Sequence, residues 1–196
     1  MTAIDPRTQG AADVAEFRMR VVAAATGLFA EQGYDATTVD EVAAAAGSSR
    51  RTLFRHFRSK EDLVFVDHET LLERVDDLLD ESADDPWWSV CAAAELVFAH
   101  YASNRELARR RYTLVSHTPA LRDRELVTAY RYQRAFEDHL RHRLPEVPAE
   151  RIIAYAAAVT AVHNYLLRSM LRGDAAATAQ RLAAELRALY DSLAAH

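Results

Sequence analysis

Apolar positions recur at three- and four-residue steps along almost the whole chain, the period of an amphipathic helix and not the alternation of a strand. Val14, Phe17, Val21, Ala25, Leu28 and Phe29 form one such stripe and predict a first helix ending at Gly33. Thr38-Val-Asp-Glu41 has the form of a capping box, which opens a short second helix with Val39, Val42, Ala43 and Ala46 inward and Gly47 closing it. Ser48 alone then separates it from Ser49, which caps a third short helix holding the i, i+4 apolar pair Leu53 and Phe57. Arg51 and Arg55 lie away from that pair and point to solvent or to a partner. Ser59-Lys-Glu-Asp62 caps a fourth helix predicted to run to about Asp80.

Beyond a loop at 82–85, Pro86 stands at the first helical position of a fifth helix that carries Trp87, Leu96, Val97, Phe98 and Tyr101. A sixth spans about Arg105 to Ser116, and a seventh starts at Thr118-Pro119 and reaches toward Arg143. Pro145 and Pro148 separate it from an eighth over Ala149 to Arg172, and Gly173-Asp174 turns the chain into a last helix ending near Ala195. The expected fold is therefore all-α, with about nine helices. Residues 12–60 read as a helix-turn-helix head, and 61–196 as an effector-binding and dimerisation body. Half the residues are apolar, with only 5 Gly and 5 Pro, which favours long helices over many turns.

No run of about 18 uncharged apolar residues is present, and Met1 to Gly10 lacks the charged and apolar regions of a secretion signal, so a cytoplasmic protein without a membrane span is expected. Cys91 is the only cysteine and reads as a packed thiol. The net charge of −5 by its sum argues against nucleic acid, but its distribution reverses the picture. Between Ser48 and Lys60 stand Arg50, Arg51, Arg55, Arg58 and Lys60 with no acid, whereas Arg74 is the only base among the many acids from Glu61 to Asp85. A basic patch beside an acidic helix suits a protein with one end on DNA and the rest kept off it.

Two short helices joined by a glycine turn, the second with exposed basic residues, match a helix-turn-helix whose second helix enters the major groove. The stretch Gly47-Ser-Ser-Arg-Arg-Thr-Leu-Phe-Arg-His-Phe-Arg-Ser-Lys-Glu-Asp-Leu63, with Phe29-x-x-x-Gly33-Tyr34-x-x-Thr37-Thr38 before it, closely resembles the signature of the TetR family of transcription regulators. The resemblance implies a ligand-responsive repressor binding a palindromic double-stranded operator as a homodimer. It implies phosphate contacts from Thr38, His56 and Lys60, and places Arg50, Arg51, Thr52 and Arg55 at or beside base edges, with Ser49 and Phe54 in the same interface. Chemistry agrees: Arg forks to guanine O6 and N7, and Thr offers a hydroxyl and a methyl. Phe54 departs from the family's usual Tyr, which removes a hydroxyl from the phosphate side but leaves a ring able to touch a thymine methyl.

In the body, Arg109-Arg-Arg-Tyr-Thr-Leu-Val-Ser-His-Thr-Pro-Ala-Leu121 resembles a subgroup whose C-terminal domain is described as binding acyl-CoA-like ligands, including mycofactocin-type regulators. Arg111 shares a face with Leu107 and Leu114, and a buried guanidinium needs an anion, either a protein carboxylate or a ligand headgroup. From Arg105 to Arg143 ten Arg face five acids, which points to an amphipathic effector with an anionic head. Gln133 falls on a stripe with Leu126, Tyr130, Phe136 and Leu140, and His163 on one with Val159, Leu166 and Met170. Each is a satisfied core group or a pocket residue. Trp88, Phe98, Tyr101, Tyr130 and Phe136 either line an apolar cavity or are plain core.

Ile152, Ile153, Tyr155, Val159, Val162, Tyr165, Leu166 and Leu167 ring the eighth helix, which therefore needs partners on two sides. With Leu182, Leu186, Leu189 and Leu193 of the last helix it is expected to form a two-fold four-helix interface. His139, His142 and Asp138 have tolerable metal spacing but sit at an exposed, Arg-rich end, so no metal and no cofactor are expected. No nucleophile elbow, phosphate loop or H-E-x-x-H stands in the chain, and an enzyme is not expected.

Overall fold

A computed structural model describes residues 6–65 and 67–194, with side chains from residue 13 to 192 except those of 15 and 66. The side chain of Leu193 and the opening segment from Met1 lie outside those described. Ten helices and no strand are present among the described residues: α1 (Pro6–Gln32), α2 (Val39–Ala45), α3 (Arg50–His56), α4 (Asp62–Phe65), α5 (Asp67–Glu81), α6 (Pro86–Ser103), α7 (Arg105–His117), α8 (Pro119–Arg143), α9 (Ala149–Leu171) and α10 (Ala179–Ala194). The predicted fourth helix corresponds to α4 and α5, on either side of residue 66.

Two compact units are present. The first runs up to Thr70 and takes in Thr113–Arg122, and the second comprises Leu71–Tyr112 and Asp123 onward. The head thus extends past the limit at 60 read from the sequence. The physical reason lies in α4, whose Leu63, Val64 and Phe65 are all buried and which packs on α1.

In the first unit Val21, Val22, Ala25 and Phe29 of α1 bury against a core that also holds Val42, Ala43, Leu53 and Phe57. Val14 stays exposed, so the first stripe buries only from Val21 onward. The turn between α2 and α3 is a Schellman motif: Ser48 N–H donates to Ala43 C=O at 2.8 Å and Gly47 N–H to Ala44 C=O at 3.0 Å. Gly47 has φ +65°, a conformation that a side chain would strain.

The second unit is built around α6, which packs on α9 and α10. Val90, Ala93, Ala94, Val97 and Phe98 of α6 are buried with Ile152, Ala156, Val159 and Leu166 of α9 and Leu182 and Leu186 of α10. Trp87 stacks edge to face with Tyr155 at 5.9 Å and tilts against Tyr190 at 5.7 Å. Leu182 and Leu186 are 0% exposed in the single chain, so they belong to its own core and not to a subunit interface as the sequence suggested. Fully burying each contributes about 1.5–3 kcal/mol within one chain.

Candidate nucleic-acid interface

The second helix is held by a complete capping box. Glu41 N–H donates to Thr38 Oγ1 at 3.2 Å, and Thr38 N–H donates to the Glu41 carboxylate at 2.7 Å. The bonds its carboxylate accepts from the Thr38 backbone and side chain hold the Glu41 carboxyl below its ordinary pKa. The Thr38 hydroxyl also donates to that carboxylate, at 2.8 Å, yet the residue stays exposed. Ser49 caps α3 by accepting from Thr52 N–H at 3.1 Å, and its Oγ lies 3.0 Å from Thr52 Oγ1. With Leu53 and Phe57 anchored in the core, the opposite side of α3 faces outward.

That outer side carries Arg51, Phe54 and Arg55, all exposed, Phe54 at 46%. No ion pair engages Arg51 or Arg55 among the described residues. The nearest polar contact of Arg55 is His56 Nε2 at 3.4 Å. Arg50 differs. Its guanidinium pairs with Asp40 at 2.7 Å and lies over the Phe54 ring at 5.2 Å, so it is partly committed to bracing α2 against α3. His56 packs on Phe17 at 5.2 Å between ring centroids, and burial, with Arg55 and Arg18 nearby, lowers its pKa.

Lys60 is half-buried. Its ammonium donates to the Tyr34 carbonyl and stands 4.4 Å from the Tyr34 ring centroid and 5.3 Å from that of Phe29. The Tyr34 hydroxyl donates to Glu61 at 2.6 Å. That bond lowers the Glu61 pKa, while burial and the same carboxylate push the phenol well above its usual value. Sequence reasoning took Tyr34 as a motif position and Lys60 as a phosphate contact, and missed the cluster they form with Glu61. No spacing signal links Asp40 to Arg50 or Tyr34 to Glu61, because both contacts form across turns.

Of the eight effector candidates, Phe98, Tyr101, Arg111, Phe136 and His163 are all buried in the second unit, and Gln133 is half-buried. Arg111 lies over the Tyr101 ring at 4.8 Å and is engaged within the protein. Gln133 donates to Glu137 at 2.9 Å, and Arg134 pairs with the same buried carboxylate. Trp88 packs on Tyr190, at 5.0 Å, and carries the Arg187 guanidinium at 5.3 Å from its ring.

Tyr130 is a correction: it is 58% exposed, and Leu126 with it 63%. The buried side of α8 is instead Thr128, Tyr132, Phe136 and Leu140, one i+4 row. A groove of about 510 Å³ opens between α5 and α6, lined by Arg74, Asp77, Leu78, Glu81, Ser82, Asp84, Ala92 and Leu96, none of them among the candidates. Cys91 is a buried thiol with its pKa pushed up to about 12, as suits a packed residue.

Residues 21–66, from within α1 to the end of α4, match the model of bacterial regulatory proteins of the tetR family. Fold and head together define a class, that of all-α proteins whose helix-turn-helix head is of the kind this family model describes. Within that class, 96 residues are 34% identical to MftR of Mycobacterium tuberculosis, named for regulating mycofactocin biosynthesis, over 48% of each chain. A further 100-residue match, 25% identical, is to IcaR of Staphylococcus aureus, the negative regulator of the biofilm operon icaADBC, covering 51% of this chain and 54% of that one. The chain spans about half the length of these two relatives. A transcriptional regulator of the TerR/AcrR family from Aquifex aeolicus shares the fold, with a TM-score of 0.61 and 18% identity over 90% of this chain and 99% of that one. No described helix is long and apolar enough to cross a membrane.

Proposed function

We propose that this protein is a cytoplasmic homodimeric repressor that binds a palindromic operator through α3 and is released or engaged by a small effector held in the second unit. The observation that carries the DNA-binding part is the pair Arg51 and Arg55, four residues apart on the outer face of α3, exposed and uncommitted to any carboxylate. Two guanidiniums on one helical face reach adjacent base edges in a major groove, each able to fork to a guanine. Thr38, Ser49, Thr52, Phe54, His56 and Lys60 are assigned to the same interface, and Arg50 shares its charge with Asp40. Repression is the activity named for one relative, IcaR.

Dimerisation is assigned to α9 with α10. Ile153, Ala157, Ala161 and Tyr165 follow one another at i+4 steps on α9, with Ile153 45% and Tyr165 62% exposed. Such a row is the ridge that packs against a second helix, and its two central alanines let the backbones approach. Exposed Ala184 and Ala188 on α10 suit the same contact.

The effector is an amphipathic small molecule. Arg111, which the sequence offers as the seat of an anionic, acyl-CoA-like head, lies over the Tyr101 ring and has contacts within the protein.

A gel shift with DNA from upstream of the chain's own gene tests the reading. Arg51→Ala and Arg55→Ala are expected to relax base preference, each costing about 1–3 kcal/mol on the operator. Equal losses on operator and random DNA for both variants would remove α3 as the reader of sequence.

A further inference from the structure

Helix α9 carries two polar atoms, one turn apart, that are buried and that the protein does not satisfy. His163 is 7% exposed and stands in a buried row with Val159 and Leu166, its ring edge to face with Phe98 of α6 at 6.3 Å and 83°. Its Nδ1 lies 3.2 Å from Asn164 Oδ1. An amide oxygen only accepts, so Nδ1 carries the proton and Nε2 presents a lone pair. That Nε2 is buried without a hydrogen-bond partner. Three residues earlier, Thr160 Oγ1 is also buried without one and does not use the back-bond to a helical carbonyl open to threonine. Positions i and i+3 lie on one helical face, so acceptor and hydroxyl are neighbours.

We infer that Thr160 and His163 form the polar anchor of the effector site and select a neutral hydroxyl, an alcohol or a phenol carried on an apolar body. The inference rests on the reading of the second unit as effector-binding. A ligand O–H donates to His163 Nε2, and its oxygen accepts from the Thr160 hydroxyl. Both orphaned atoms are then satisfied by one group, which recovers the desolvation each bears. A carboxylate or phosphate brings no donor for Nε2. Burial also keeps the imidazole pKa at about 4, so the ring is uncharged at neutral pH and gives an anion no countercharge. An ammonium head brings donors, but its charge would enter a wall of Phe98, Val159 and Leu166, where burying a charge is costly.

Calorimetry and thermal shift on the full chain test this with four probes: 4-butylphenol, its methyl ether 4-butylanisole, decanoyl-CoA and dodecyltrimethylammonium. The phenol is expected to bind the wild type roughly tenfold tighter than the anisole, which keeps the shape and loses the donor. His163→Leu should bring that ratio to about one, and Thr160→Val should lower it in part. The wild-type comparison needs no variant, so a variant that fails to fold leaves the test intact. Equal binding of phenol and anisole overturns the inference, and so does a ¹⁵N NMR spectrum placing the imidazole proton on Nε2. If decanoyl-CoA or the ammonium binds and the phenol does not, hydroxyl selection falls while the effector reading stands. If no probe of any class binds, both fall.

Discussion

Lys60→Met is the substitution that best separates what Lys60 does for the head from what it does for DNA. Methionine keeps an unbranched apolar stem and removes the charge and its donors. In the structure that charge donates to the Tyr34 carbonyl and sits over two rings, at 4.4 and 5.3 Å from their centroids. A hydrogen bond from a charged donor contributes about 1.5–3 kcal/mol, and each partly exposed cation–π contact about 0.5–1 kcal/mol. Part of the side chain still meets water, so the loss is placed at the lower end of the sum, at about 2.5 kcal/mol. Urea denaturation followed by hydrogen exchange at the amides of 34–38 and 61–65 should register it as a lower midpoint confined to the head. If the ammonium also reaches a phosphate, the plot of log affinity against log salt flattens by about one unit. An unchanged midpoint with a flattened slope would refute the structural task and leave Lys60 a phosphate contact alone.

Three further outcomes are expected. Tyr165→Glu charges the exposed ridge of α9 and should give monomer by ultracentrifugation with little change in chain stability, whereas Leu186→Glu should unfold the second unit; monomeric, well-folded Leu186→Glu would return that residue to the interface. Thr38→Ala removes the helix cap and should lower head stability by about 1 kcal/mol, read as a shift in the denaturation midpoint, with no shift meaning that Glu41 holds the turn alone. Tyr34→Phe removes the bond to Glu61 and should lower stability at neutral pH by about 1 kcal/mol. Because the folded Glu61 pKa is depressed below the ordinary 4.5, that stabilisation is complete above 4.5 and is lost as pH falls through the folded value. Tyr34→Phe should therefore flatten this part of the acid limb, and an acid limb identical to that of the wild type would count against the pairing.

Helices α2 and α3 of the head were legible because their signals are local. A capping box at Thr38 and Glu41, a cap at Ser49 and a left-handed Gly47 each act within a few residues, and the exposure of Arg51 and Arg55 follows from helical period once Leu53 and Phe57 are inward. The all-α class followed from the same period over the whole chain. Three matters were decided only by tertiary structure. On α8, Tyr130 and Tyr132 lie on opposed stripes of nearly equal apolar character, so only packing could choose Tyr132 for the inside. On α10, Leu182 and Leu186 are apolar in sequence whether they meet α6 or a second subunit, and only three-dimensional burial assigns them to the chain's own core. The third is satisfaction of polar groups. A buried Arg111 or His163 looks alike in sequence, but one is engaged inside the protein and the other keeps an open Nε2, because a hydrogen bond depends on atoms that the fold brings from distant positions.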